Sequence, residues 1–121
     1  MKVYKIVPKQ LWRIAEAEGS FHGAPVDLAD GFIHFSTGPQ LRETAAKHFR
    51  GGEDLLLVAF DADALGSTLK WEPSRGGALF PHLYRPLDPD EALWRRDLPL
   101  GPDGQHRFPP EADDLEASSS A

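Results

Sequence analysis

His34 and Ser36, in the stretch DGFIHFST over residues 30–37, share one face if that segment is extended. An imidazole can exchange a proton near neutral pH, and a hydroxyl can bond a sugar or phosphate oxygen. Thr37 follows as the N-cap of a helix expected over residues 38–50, with Gln40 completing a capping-box pattern. The free amides at such a helix start favour an anion, so His34, Ser36 and Thr37 together could seat a phosphate or a ribose. The competing reading is structural: His34 donates to a backbone carbonyl and Ser36 only caps the helix.

Two further stretches carry chemistry. In WEPS, Glu72 lies between Trp71 and Pro73, and a carboxylate beside an aromatic can have a raised pKa and act as an acid or base. Its plain alternative is a solvent-facing strand residue beside Lys70. In FPHLYRP, His82, Tyr84 and Arg85 put three polar tips among aromatics and prolines, after a glycine-rich SRGG. Tyr84 could stack on a flat ring while His82 or Arg85 meets a phosphate or hydroxyl; the alternative is a rigid edge segment. This makes Glu72 and His82 the candidates for proton chemistry, and His34, Ser36, Thr37, Tyr84 and Arg85 the candidates for ligand binding. His34, His82 and Glu72 would also make a His₂-carboxylate zinc set. The five histidines, at 22, 34, 48, 82 and 106, show no short ligand spacing, so no metal is assigned.

These side chains need elements to hold them. KVYKIV alternates Val3, Lys5 and Val7 against Tyr4 and Ile6 and reads as a first strand ended by Pro8. KQLWRIAEAEG places Leu11, Ile14, Ala15 and Glu18 at helical spacing, flanked by Trp12 and stopped by Gly19. SFHGAPVDLAD reads as a loop. DLLLVAFD is an uninterrupted apolar run, the pattern of a central strand buried on both faces, and ADALGS is a turn of helix or a loop. TLKWEPS reads as a strand, LFPHLYRPL as an edge strand or structured loop because of Pro81 and Pro86, and EALWRRDLPL as a last strand. The order β-α-β-α-β-β-β predicts an α+β domain over residues 1–108. Residues 109–121, acidic and serine-rich, are expected to form a disordered tail.

Composition narrows the function classes. A net charge of −6 with no basic stripe argues against duplex nucleic acid, while leaving room for a small phosphorylated ligand. There is no cysteine, hence no thiolate chemistry, no membrane-length apolar run and no signal-like amino terminus, a combination that fits the cytoplasm. Neither a Rossmann nor a Walker glycine pattern is present. The oligomeric state has no sequence signature here.

Taken in order, YKIV, W..A...G, DGFIHFST..Q, LLLVAFD..AL, KWEPS and FPHLYRPL resemble the bacterial domain-of-unknown-function family 952 over roughly residues 2 to 100. That family is grouped by fold with the ADP-ribosyltransferases. The middle of the chain is also similar to the carboxy-terminal half of the tRNA 2′-phosphotransferases. The resemblance implies an ADP-ribosyltransferase-like α+β fold: a split, mostly antiparallel β-sheet with two helices. Its cleft would take a nucleotide-like ligand, with NAD as a candidate substrate rather than a resident cofactor. It further implies that His34 holds a ribose, Tyr84 stacks on nicotinamide and Glu72 polarises a ribose hydroxyl, for ADP-ribosyl or phosphoryl transfer. Glu72 precedes Tyr84 here, which departs from the usual His–Tyr–Glu order. A non-catalytic metabolite-binding module and a His/Glu metal-dependent hydrolase are the alternative functions.

Overall fold

The computed structural model describes residues 1–112. β1 (Lys2–Pro8) and β3 (Leu55–Asp61) pair antiparallel along their whole length, and β6 (Trp94–Asp97) adds to the far side of β3. β3 is therefore the central strand, and residues 55–60 are all buried, as its unbroken apolar run predicts. Alternation sends Val58 and Phe60 into one core with Val3 and Val7. Leu57 and Ala59 enter a second core with Tyr4 and Ile6.

Each core is closed by a helix. α1 (Lys9–Glu18) starts after Pro8 and ends at Gly19, whose N–H donates to the Ala15 carbonyl. It buries Trp12 and Ala15 and leaves Ile14 half exposed, so the stripe is rotated from the expected Leu11–Ile14–Ala15 set. The largest apolar side chain takes the core position: Trp12 packs its ring 5.6 Å from Phe21 and 6.2 Å from Phe60. Truncating it to alanine would cost about 3–5 kcal/mol. α3 (Leu41–His48), entered through a 3₁₀ turn at residues 38–40, covers the other core with Leu41 and Ala45.

A second antiparallel sheet has the order β2 (Ile33–His34), β5 (Leu79–Leu83), β4 (Leu69–Pro73). Its Ile33, Leu69 and Leu83 join the core of Val3 and Trp12. Among the described residues the backbones of the two sheets are bridged at Tyr4 and Ser36, which exchange hydrogen bonds of 2.8 and 2.9 Å. Beyond that pair β1 and β2 separate, so the expected split, antiparallel arrangement is present.

Three expectations change. The strand across residues 30–37 contracts to Ile33–His34, because Gly31 (φ 86°) ends a preceding helix and Ser36 leaves β5 to pair with β1. That helix, α2 (Pro25–Asp30), replaces the expected loop, so the two long helices are joined by α2 and by a single turn, α4 (Ala62–Leu65). Finally, β5 is the middle strand of its sheet rather than an edge. Pro81 is tolerated there because it stands opposite Trp71, between the bonded pairs that link β4 to β5. Its nitrogen therefore faces the short β2, and its carbonyl accepts from Phe35 at 3.0 Å. At the carboxyl end, Glu111 pairs with Arg96 and Ala112 is buried, so the chain stays packed through residue 112; the rest of the expected tail lies outside the described residues.

Candidate functional site

The divergence of β1 from β2 opens a cleft of about 440 Å³, with α2 and the end of α3 as its rims. His34, Ser36 and His82 line it, which brings both histidine motifs of the sequence to one place. Register explains this: His34 and His82 are direct cross-strand partners in β2 and β5, and their rings lie 5.5 Å apart. Pro25, Phe49 and Phe80 supply apolar wall. Ser36 does not cap α3; its hydroxyl bonds the Thr44 hydroxyl at 2.8 Å. Thr37 sits at the helix entry, its N–H donating to the Gln40 side chain at 3.0 Å, and Gln40 in turn donates to the Leu79 carbonyl.

His34 is anchored from below. Asp27 accepts from the Nδ1 of His34 at 2.6 Å, from its backbone N–H at 3.0 Å and from the Ala24 N–H at 2.7 Å. The same carboxylate holds the Lys5 ammonium at 2.9 Å, with both side chains almost wholly buried. Lys5 projects from the Val3–Val7 face of β1, where only a counter-ion can make a lysine tolerable. Burial lowers the Lys5 pKa, against the pull of Asp27. Burial pushes the Asp27 carboxyl up, but the hydrogen bonds from His34 and the charge and bond of Lys5 outweigh it, bringing its pKa down to about 2. Gly23 makes room for this packing: its φ is 127°, and a Cβ there would stand 2.7 Å from the Asp27 Cβ. The other ring nitrogen of His34, Nε2, faces the Asp30 carboxylate at 2.9 Å.

His82 is held differently. Its Nδ1 contacts the Glu72 carboxylate at 2.8 Å, leaving Nε2 as the nitrogen available to a ligand, and Phe32 stacks on the ring at 4.0 Å. The Tyr84 hydroxyl donates to the same Glu72 oxygen at 2.7 Å. These bonds, that of Tyr84 first and that of His82 second, hold the Glu72 carboxyl below its usual range and raise the Tyr84 phenol. The expected rise at Glu72 is thus reversed. Trp71 points to the opposite face of β4, and the two donors that favour the charged acid outweigh the desolvation that pushes it up. Glu72 reaches the cleft through His82. Tyr84 and Arg85 line a shallower hollow of about 260 Å³ beside Phe32, and Arg85 makes a two-pronged ion pair with Glu91 at 3.0 and 2.8 Å.

The His34, His82 and Glu72 set does not converge on a shared point for a metal, since both nitrogens of His34 meet aspartates. Among the described residues no group of three or more histidine and carboxylate side chains is placed to hold an ion. Also among the described residues, no helix is long and apolar enough to cross a membrane. Lys5, Asp27, Asp30 and Phe32 are the site residues that sequence reasoning missed. The one signal was Lys5, a lysine on the apolar side of an alternating strand.

Comparison with known proteins fits this architecture. The family model described as "Protein of unknown function (DUF952)" matches residues 6–95, from the end of β1 to the start of β6, and includes every site residue except Lys5. The chain belongs to the DUF952 family. No curated protein matches the chain. The crystal structure of protein CC0527 from Caulobacter crescentus is 51% identical, with a TM-score of 0.89, and the match covers 93% of this chain and 99% of that one. The solution NMR structure of the same protein gives 56% identity and a TM-score of 0.78 over 86% of this chain and 90% of that one. At these identities and TM-scores this chain and CC0527 share one fold.

Proposed function

We propose that this DUF952 protein binds a nucleotide-type ligand of the NAD or ADP-ribose class in the cleft between its two sheets, on an ADP-ribosyltransferase-like fold. The observation that carries the reading is the convergence of His34, Ser36 and His82 on one concave site with an apolar wall. In this reading, Ser36 and His34 meet ribose or phosphate oxygens, and the bases or nicotinamide lie against Phe49 and Phe80. Thr37 lies beside them at the helix entry, and Tyr84 with Arg85 extends the surface past Phe32.

Glu72 orients His82 through Nδ1, so Nε2 serves as the proton-transfer atom. In a transferase reaction on NAD, the bond between ribose C1 and the nicotinamide nitrogen breaks and nicotinamide leaves with the electron pair. The acceptor oxygen then bonds C1, and its proton passes to His82 Nε2. A second reading, binding without turnover, is favoured by Glu72 itself, which is ionised and reaches the cleft only through His82.

Titration of NAD and ADP-ribose by calorimetry, with nicotinamide release followed in parallel, tests both readings. Saturable binding with release supports the transferase, and binding without release supports the sensing module. No heat at millimolar ligand removes the nucleotide reading altogether.

A further inference from the structure

The His34 ring lies between two aspartates that are held in very different ways. Asp27 is fully buried and tied by Lys5, Ala24 and both the backbone and the ring of His34. Asp30 is the last residue of α2, next to Gly31, with its side chain 47% exposed; its 2.9 Å contact is with His34 Nε2. Asp30 and His34 both line the cleft, alongside the Ser36–Thr44 hydroxyl pair.

We propose that His34 Nε2 is an oxyanion subsite, and that Asp30 fills it from within the chain until a ligand carboxylate or phosphate takes its place. The proposal rests on the reading of this cleft as a ligand site and assigns a position to the ligand's anionic group. A carboxylate and a phosphate offer a ring N–H the same kind of acceptor oxygen. Exchange keeps an oxyanion at the ring, because one leaves as another arrives. Asp27 keeps Nδ1 throughout, so the ring does not turn. A half-exposed ion pair is a weak competitor, which allows a free anion to displace Asp30 but not Asp27. The remainder of the ligand would be apolar or flat, to lie against Pro25, Val26, Phe49 and Phe80.

The test is an NMR titration of the full chain in phosphate-free buffer, with inorganic phosphate and acetate as separate probes. The signals followed are the Asp30 and Asp27 carboxyl carbons and the His34 ring nitrogens. Either anion should shift Asp30 and His34 Nε2 together while Asp27 stays in place. Asp30→Asn should raise the affinity for that anion by up to about fivefold. Asp63→Asn, which removes the same charge on α4, should leave it unchanged. No shift with either anion, or equal gains in the two variants, would overturn the proposal. ADP-ribose provides the remaining arm. If it moves Phe49 and Phe80 but leaves Asp30 on His34, the subsite fails and the nucleotide reading stands. If phosphate displaces Asp30 in a protein that ignores ADP-ribose, the subsite stands and the nucleotide reading fails.

Discussion

Two carboxylate–histidine pairs meet across the β2–β5 junction, and they are built in opposite ways. In the Asp27–His34 pair the acid side chain is 0% exposed and the ring 31%. In the Glu72–His82 pair the acid is 39% exposed and the ring only 7%. A buried carboxylate survives only when its oxygens are filled, and Asp27 fills them with Lys5, Ala24 and His34. It is an anchor, committed before any ligand arrives. Glu72 remains hydrated and spends one oxygen on His82 and Tyr84, so it can orient the ring and still respond to what binds. The same residue types thus serve as a foundation at one end of the site and as working parts at the other.

Breaking the foundation should have the largest effect. Asp27→Ala strands the Lys5 ammonium in the core, and losing one partner of a buried pair costs about 3–5 kcal/mol. Urea denaturation should show a large drop in the unfolding midpoint. Replacing both partners, Lys5→Met with Asp27→Leu, should recover part of it, because no charge is then left unpaired. Glu72→Gln should leave the midpoint near that of the parent. Equal losses from Asp27→Ala and Glu72→Gln would erase the distinction between the two pairs.

Acid titration sharpens the same contrast. The Asp27 carboxyl falls from an ordinary value of 3.8 to about 2 in the fold, a difference worth about 2 kcal/mol. Because the folded value is the lower one, this stabilisation is fully present above the unfolded pKa. It is lost as pH falls from about 4 toward 2. Stability measured across that window should decline steeply in the parent. The decline should be flatter in Asp27→Asn, whose stability is already reduced at neutral pH. Glu72 shifts in the same direction, so Glu72→Gln should flatten the curve as well, but less than Asp27→Asn does.

What the sequence revealed follows from how locally each feature is encoded. β3 and the closure of α1 at Gly19 are written in contiguous residues, an apolar run and a glycine stop, and both are found where expected. The pairing of His34 with His82 spans 48 positions and depends on the β2–β5 register, which no contiguous stretch encodes. α2 was hidden because its six residues contain only Val26 and Leu28 as large apolar groups, and both are exposed, so no buried stripe marks the helix. The central place of β5 was hidden by Pro81, whose missing N–H matters only once it is known which neighbour that nitrogen faces. Asp27 was hidden most deeply. Its partner Lys5 lies 22 residues away, and PVDLAD reads as an ordinary polar loop until the charge on β1 requires an acid.

A smaller effect is expected from His82 and its acid. Under the proposed function, Glu72→Gln should leave ADP-ribose affinity within a few-fold of the parent but lower any nicotinamide release by about 10²-fold. That is the lower end of what a positioned proton carrier contributes. His82→Asn should lower release at least as far. A loss of binding with release per bound ligand unchanged would instead place Glu72 in ligand recognition.

The smallest effect belongs to Tyr84→Phe, and it isolates the outer layer of the open pair. The Tyr84 hydroxyl is the first cause of the lowered Glu72 pKa, ahead of the bond from His82. Removing one oxygen atom deletes that donor without touching the His82 contact, so the Glu72 carboxyl should titrate at a higher pH while staying below its ordinary range. A ¹³C titration of the Glu72 carboxyl carbon would read this shift directly. The Asp27 carboxyl, with its own closed set of donors, should keep its value in the same sample. If Glu72 does not move, the hydroxyl is a bystander and His82 alone sets the charge of the acid. If Asp27 moves with it, the two pairs communicate through the contacting rings of Phe32, His34 and His82, and the site is one network rather than a fixed base with an adjustable edge.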